Sequence, residues 1–496
     1  MRRVMRRKEM AGGPATPREA LLQQQTRRHF LQRSPIGLGA VAAALLAGPQ
    51  AGRLQAADLP ARPSNARPMA KNVIYLHLAG SPSQLELFDD KPELAKRHMQ
   101  PCPDSLLKDQ KFAFIQGHPK LLGPLYKFGR YGQSGQVFSE LVPHLAGLAD
   151  DLTFVHSLYT EQFNHAPAEL FLHTGNARSG YPSFGSWVTY GLGSENQNLP
   201  GFVVLVSGGS NPSAGKQVWG SGFLPGVHQG VQCRSGGEPI LFLSNPPGMT
   251  REIRRDSLDT LSRLNQLQSE QFGDPETVTR IEQYELAYRM QVAAPELMDI
   301  SRETAATLEM YGATPGQGTF ANNCLLARRL VEQGVRFVQL FDWGWDVHGT
   351  GPHDDLVTHL PKKCKEMDRP VAALISDLKQ RGLLDETLVI WGGEFGRTSM
   401  NEARGGSTHL GRDHHPHAFT MFFAGGGMKP GLSYGETDDF GYFITDGKLS
   451  VRDLQATLLH CLGLDPYRLS YPFQGLQSRW IGPTDEGRII RELLDG

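Results

Sequence analysis

A chain of 496 residues is long enough for one large α/β domain or two smaller ones, and 39% hydrophobic with 20% charged residues excludes a disordered polymer. The 50 Lys+Arg balance 51 Asp+Glu, so the formal net charge of -1 provides no basic field and argues against nucleic acid as a partner. Five scattered cysteines, Cys102, Cys233, Cys324, Cys364 and Cys461, form no CxxC pair, so neither a zinc ribbon nor a disulfide framework is readable.

The first recognisable feature along the chain is TRRHFLQ (26–32), which resembles the twin-arginine export motif and precedes the mild run GLGAVAAALLAG. That run is too short and too weakly apolar for a durable membrane span. The expectation is export by the twin-arginine machinery, which carries folded and cofactor-loaded proteins, to the periplasm or beyond. Cleavage falls near 51–57, or the protein stays tethered to the membrane if the leader is retained. Residues 1–70 are therefore set aside as signal region and linker. Residues 71–496 are assigned to a single α/β domain, with a loop and helical insertion around 207–330.

NVIYLHLA (72–79) predicts a buried strand that opens into the turn GSPS. A helix follows at about 165–173, broken by TGNARSGYPS, and GFVVLV (201–206) predicts a second strand. The Gly-, Pro- and Ser-rich stretch 210–250 is expected to be irregular, and about 275–308 to be helical. VRFVQLF (335–341) is a strand ending at DWGWDVHG, with a helix at roughly 355–381. TLVIWG (387–392) is a strand ending at GEFGRT, AFTMFFAGGG (418–427) another, and VRDLQATLLHCLGL (451–464) an amphipathic helix. Apolar strands alternating with helices imply a mainly parallel sheet covered on both faces. In such sheets ligands sit beyond the carboxyl ends of the strands, and the polar clusters of this chain fall at those ends.

Three clusters carry candidate chemistry. DWGWDVHG offers Asp342, Asp346 and His348, donors that suit zinc or manganese, although such a set also serves as a satisfied loop network. GEFGRT leaves Glu394 at a strand end, where a buried carboxylate needs a partner; Arg397 could supply it as a structural ion pair. GRDHHPHAF (411–419) crowds Asp413, His414, His415 and His417 together, either as a wet surface loop or as ligands. Together they have the chemistry for one or two metals. GLSYG (431–435) and GQGTFA (316–321) imitate a nucleophile elbow and a dinucleotide loop, but neither has the flanking strand or helix those motifs need.

The segments VIYLHLAGSPSQLELFDDKPEL, NHAPAELFLHTGNARSGYPSFGSWVTYGLG, FDWGWDVHG, GGEFGRT, GRDHHPHAFTMFFAGGG, TDDFGY and VRDLQATLLHCLGLDPYRL resemble a large bacterial family of exported proteins of unknown function, often labelled "sulfatase". The resemblance spans roughly 70–494, and the family is similar in fold to the alkaline-phosphatase/sulfatase superfamily. It implies a core α/β sheet, metal ligands at strand ends and a nucleophile at a helix start. Carried over, Glu394 stands at the superfamily's aspartate and Phe395 at its histidine. His414 or His415 stands at its last histidine ligand, and Asp342, Asp346 and His348 resemble its Asp…His group with altered spacing. The first strand ends without the superfamily's aspartate, for which Glu86 or Asp89 could substitute, and no C/S-x-P-x-R motif is present to make a formylglycine. Counting back from Thr174-Gly175 puts Asn164 and His165 at the nucleophile position.

The resemblance thus implies an exported metal-dependent hydrolase of phosphate or sulfate esters. Asp342, Asp346, His348, Glu394, His414 and His415 would hold a divalent metal, zinc before manganese or calcium. His165 would be nucleophile or acid/base, Asn164 an oxyanion donor or helix cap, and Arg397 a catalytic cation; Arg412 and His417 would bind substrate oxygens. The substrate would be a small-molecule or polysaccharide ester. The competing expectation is a non-catalytic exported binding or scaffold protein on the same fold, for an acidic polysaccharide; a phosphomutase-like enzyme would share the site.

Overall fold

The computed structural model describes residues 67–495, apart from 109, 111, 236–239, 241–243, 247, 273–274 and 484–486. The twin-arginine motif, the apolar run and the expected cleavage region lie outside the described residues. Among the described residues no helix is long and apolar enough to cross a membrane.

In chain order the strands that matter are β1 (Asn72–Ala79), β2 (Thr153–Tyr159), β3 (Phe202–Ser207), β4 (Val231–Cys233), β5 (Phe337–Trp343), β6 (Thr387–Gly392), β7 (Gly396–Arg397), β8 (His414–His415), β9 (Phe419–Ala424), β10 (Ser433–Tyr434) and β11 (Leu449–Ser450). The central sheet has the spatial order β10-β2-β9-β6-β1-β5-β3-β4, with β11 also pairing β2. Strands β4, β3, β5, β1 and β6 are parallel. β9 runs antiparallel to both of its neighbours, β6 and β2. β7 and β8 form a separate antiparallel ribbon, pairing Gly396 with His415 and Arg397 with His414.

Side chains along a strand alternate between faces, and β1 is apolar on both. Ile74, Leu76 and Leu78 enter one hydrophobic core, Val73 and Tyr75 the other. Helices α1 (His165–Thr174), α2 (Phe184–Leu192), α3 (Arg251–Phe272), α4 (Pro275–Met298), α5 (Phe320–Glu332), α6 (His359–Gln380) and α7 (Val451–Cys461) accompany the sheet, α3 packing against α4. α5 and α6 supply the first core with Leu325, Leu326, Met367 and Leu374; α1, α2 and α7 supply the second with Phe171, Trp187 and Leu458. Each such buried aliphatic or aromatic side chain contributes about 1.5–3 kcal/mol to holding the helices on the sheet.

This is the α/β architecture expected from the alternation of strands and helices. Three details differ from expectation. β5 runs on to Trp343, so Asp342 belongs to the strand and not to the loop after it. Within the stretch expected to be irregular, β4 adds a short edge strand. The helical region also starts earlier, because α3 precedes α4; its dense charges hid the helical spacing of Leu258, Leu261 and Leu264.

Candidate metal centre

The direction of the strands explains how distant segments meet. β1, β5 and β6 end at one edge of the sheet, and so does β2, which runs parallel to them beyond the reversed β9. Because β9 is reversed, the residues that enter it arrive at that same edge. Asp346 and His348 after β5, Glu394 after β6, His414 before β9 and His165 after β2 are therefore neighbours. Close backbone approach completes the fit. A Cβ on Gly80 (φ 102°) would lie 2.4 Å from the Asp346 amide nitrogen, and one on Gly411 would lie 1.9 Å from the His348 carbonyl carbon.

At the centre of this edge a single oxygen, Asp346 Oδ1, faces three imidazoles. His348 Nε2 lies 2.8 Å away, His165 Nε2 3.2 Å and His414 Nε2 3.4 Å. One ligand atom from each of these four residues lies within 4.8 Å of all the others. Arg397 Nη2 reaches the same oxygen at 2.5 Å from the buried side. The Asp346 side chain is 27% exposed and His414 only 2%, so the cluster opens to solvent at the carboxylate.

The far nitrogen of each ring is held. His165 Nδ1 contacts Glu394 Oε1 at 2.5 Å, and His414 Nδ1 contacts the Phe163 carbonyl oxygen at 2.7 Å. His348 Nδ1 contacts Glu402 Oε2, closer than Arg404 Nη2 at 3.2 Å, so the carboxylate sets its tautomer. Carboxylates and carbonyls only accept, so each Nδ1 carries a hydrogen and donates it. The Nε2 positions are left to face Asp346, and those of His165 and His414 are buried with no hydrogen-bond partner. Imidazoles fixed through Nδ1 by outer carboxylates, with Nε2 turned to a common point, are the arrangement that ligates a divalent cation. The donor set fits.

Protonation follows from the same contacts. Burial would raise the Asp346 carboxyl, but Arg397 and the three imidazoles outweigh it and hold the group well below its ordinary range. Burial would depress His165, but the neighbouring Asp346 and Glu394 carboxylates raise it to about 9. His414 goes the other way, driven down to about 4 by burial, with Arg397 and His165 adding to the effect against Asp346. His165 therefore keeps its proton between the Asp346 and Glu394 carboxylates, while burial leaves His414 neutral. Ion binding at this set releases that proton.

Of the residues singled out in the sequence, His165, Asp346, His348 and His414 come together, with Glu394 one hydrogen bond behind. Others do not. Asp342 is consumed by Lys363 Nζ at 2.7 Å, Trp345 Nε1 at 2.9 Å and Ser207 Oγ at 2.8 Å. His415 alternates to the opposite face of its strand from His414 and donates through Nε2 to the Tyr442 carbonyl at 2.7 Å. His417 is exposed outside the cluster, and Asn164 is an exposed N-cap whose side chain makes no capping bond. Arg412 is fully buried against Glu86, so it cannot receive a substrate, and Glu86 in turn cannot replace the first-strand aspartate. Asp89 instead pairs with Lys91. The expected Arg397–Glu394 pair does not form: Arg397 binds Asp346 and the carbonyls of Gly80, Ser81 and Arg412.

Sequence reasoning passed over Glu402, Arg404, Phe114 and the Phe163 carbonyl. Phe114 covers the cluster, with ring centroids 5.1 Å from His348 and 5.4 Å from His414. Its amide and that of Ile115 donate to Asp413 Oδ2, which gives the acidic member of GRDHHPH a structural task. None of these four has a local sequence signal. His77, Glu169 and His173 did have one. A histidine inside the apolar run NVIYLHLA is out of place, and His165, Glu169 and His173 share one helix face at i, i+4 and i+8.

Among solved structures the chain is similar to the PsFucS1 sulfatase from Pseudoalteromonas sp., at 12% identity and TM-score 0.35, covering 85% of this chain and 74% of that one. It is also similar to the lipoteichoic acid synthase LtaP from Listeria monocytogenes, at 12% identity and TM-score 0.37, with 85% and 77% covered. For the alkaline phosphatase from the Antarctic bacterium TAB5 the identity is 11%, the TM-score 0.29, and 74% and 94% are covered. At that distance the chemistry must come from this chain's own residues. No curated protein sequence matches it. The family described as "Protein of unknown function (DUF1501)" matches residues 70–494, and the chain belongs to that family.

Proposed function

We propose that this protein is an exported metal-dependent hydrolase of phosphate or sulfate esters, with one divalent ion held by His165, Asp346, His348 and His414. The observation that carries the reading is the convergence of three Nε2 atoms on Asp346 while all three Nδ1 atoms are tied to oxygen acceptors. Three nitrogens and one carboxylate suit zinc; manganese accepts the same donors less readily, and calcium, which wants about six to eight oxygens, least of all. Such an ion would polarise an ester oxygen and acidify water towards pH ~7. His165, with Nδ1 held by Glu394 and Nε2 turned towards Asp346, would serve as a ligand and not as the nucleophile, which would then be water. Glu394, Glu402 and the Phe163 carbonyl orient the rings, and Arg397 holds Asp346 from behind. Arg404, 37% exposed and stacked 3.8 Å over Phe114, takes the part of anion-binding cation first expected of Arg412. The substrate would be a small-molecule or polysaccharide ester, approaching where the centre opens at Asp346.

One observation favours a second reading, a non-catalytic binding protein on this fold: Arg397 and Arg412 spend their guanidinium groups on internal partners. One experiment separates the two. Protein recovered from the exported fraction is analysed for metal and assayed on aryl phosphate and aryl sulfate, beside His414→Ala. The hydrolase reading expects about one ion per chain and turnover, both lost in the variant. Ion without turnover favours the binding protein, and a folded, metal-free protein overturns the metal reading.

A further inference from the structure

Behind the centre lies a line of buried polar side chains that water attack does not use. Glu394 Oε1 accepts from the Gly80 amide at 3.1 Å and from His165 Nδ1 at 2.5 Å. Its other oxygen, Oε2, faces His77 Nε2 at 3.3 Å. Both of those atoms are buried and neither makes a hydrogen bond elsewhere or to the other, so an imidazole nitrogen and a carboxylate oxygen face each other as two unsatisfied polar atoms. His77 Nδ1 lies 3.3 Å from His173 Nε2, and His173 Nδ1 lies 3.1 Å from Gln339 Nε2. His77, His173 and Glu394 are 0% exposed and Gln339 1%. The rings of Tyr75 and Phe341 wall the line in, 5.0 Å and 5.5 Å from His173.

The line has a direction. An amide nitrogen only donates, so His173 Nδ1 accepts from Gln339, and the one hydrogen of a neutral imidazole sits on His173 Nε2. Burial keeps His173 neutral, well below its ordinary value. His173 Nε2–H then donates to His77 Nδ1, which puts the hydrogen of His77 on Nε2, pointing at Glu394. His77, Glu169 and Glu394 are close enough to suggest a second cation site. With its hydrogen on Nε2, however, His77 is a donor there and not a ligand. The backbone supports the chain rigidly: His77 pairs with Phe341 across β1 and β5, and Tyr75 with Gln339. His173 ends the same helix that begins with His165.

We propose that His77, oriented by His173 and Gln339, is a positioning residue for the metal centre. Its Nε2–H holds Glu394 in the orientation that takes the Nδ1 hydrogen of His165, and so keeps His165 Nε2 aimed at Asp346. The inference rests on His165, Asp346, His348 and His414 being the metal ligands. Outer partners of ligating histidines typically govern affinity by about 10–100-fold.

The test compares His77→Phe, which keeps the ring and removes the donor, with His77→Gln, which restores a donor. The full-length protein is titrated with zinc against a chelator, and the visible spectrum of the cobalt-substituted protein is recorded. The expected result is affinity weakened about tenfold or more in H77F with a changed cobalt spectrum, and recovery to within about threefold in H77Q. Equal loss in both variants would show packing alone and overturn the proposal, as would unchanged affinity in H77F. Should H77F not fold, Gln339→Met asks the same question from the far end of the line: weaker binding supports the proposal and unchanged binding overturns it. A wild-type protein that binds no zinc overturns the metal reading and this inference with it. Zinc bound normally by the wild type and by H77F overturns this inference alone.

Discussion

Two aspartates four residues apart in DWGWDVHG illustrate opposite uses of a strand-end carboxylate. Asp342 is closed: a lysine, an indole and a hydroxyl take both its oxygens, and its residue is only 2% exposed. Asp346 is open: one oxygen faces three imidazoles and a guanidinium, and two of those imidazole nitrogens have no hydrogen bond. A satisfied carboxylate holds structure together. An oversubscribed one, ringed by imidazole nitrogens that point at a common place, is a site. Proximity in sequence does not decide between the two; the partners do.

The contrast can be broken from the closed side first. Lys363→Met strands the Asp342 charge in the interior and is expected to cost about 3–5 kcal/mol in urea unfolding, while metal per folded chain stays at the wild-type value. Loss of metal from a folded Lys363→Met protein would mean that the two aspartates form one network after all. A smaller effect sharpens the open side. Glu402→Leu takes the acceptor from His348 Nδ1, and zinc affinity should fall about tenfold in a chelator competition with little change in the unfolding midpoint of the chelated protein. If affinity holds, the Nδ1 contacts are decoration and the convergence of the rings loses its physical meaning.

The sheet was legible in the sequence because it is made of period-two and continuous apolar runs, which report burial directly. The positions of β1, β5, β6 and β9 follow from NVIYLHLA, RFVQLF, TLVIWG and FTMFFA. The ligand types were legible too, since three histidines and an aspartate in five positions need a reason. What sequence could not give was which of them turn inward. His414 and His415 are adjacent and identical, and only the pairing of β8 with β7 sends one to Asp346 and the other to Tyr442. The same holds for Arg412, whose partner Glu86 lies 326 residues away. The reversal of β9, which carries His414 to the right edge, is a property of strand order and is not written in FTMFFA.

Glu169 provides the finest test, because it is a third kind of carboxylate, buried and paired with no cation. Its oxygens accept from the Ser213 and Ala214 amides at 3.1 Å and 2.6 Å, and around it stand Glu394, which opposes its charge, and His165, which favours it. Burial first and Glu394 second push its carboxyl up to about 8. The native protein thus keeps a proton that the unfolded chain gives up near pH 4.5. The stability this proton supplies is fully present below that value and is lost as pH rises through about 8. Over that window the slope from this one group is about 1.4 kcal/mol per pH unit. Glu169→Gln has no proton to lose, so its stability relative to wild type should climb steadily between pH ~5 and ~8 and then level off. Parallel stability curves for the two proteins would mean that Glu169 is ionised beside Glu394 in the native protein.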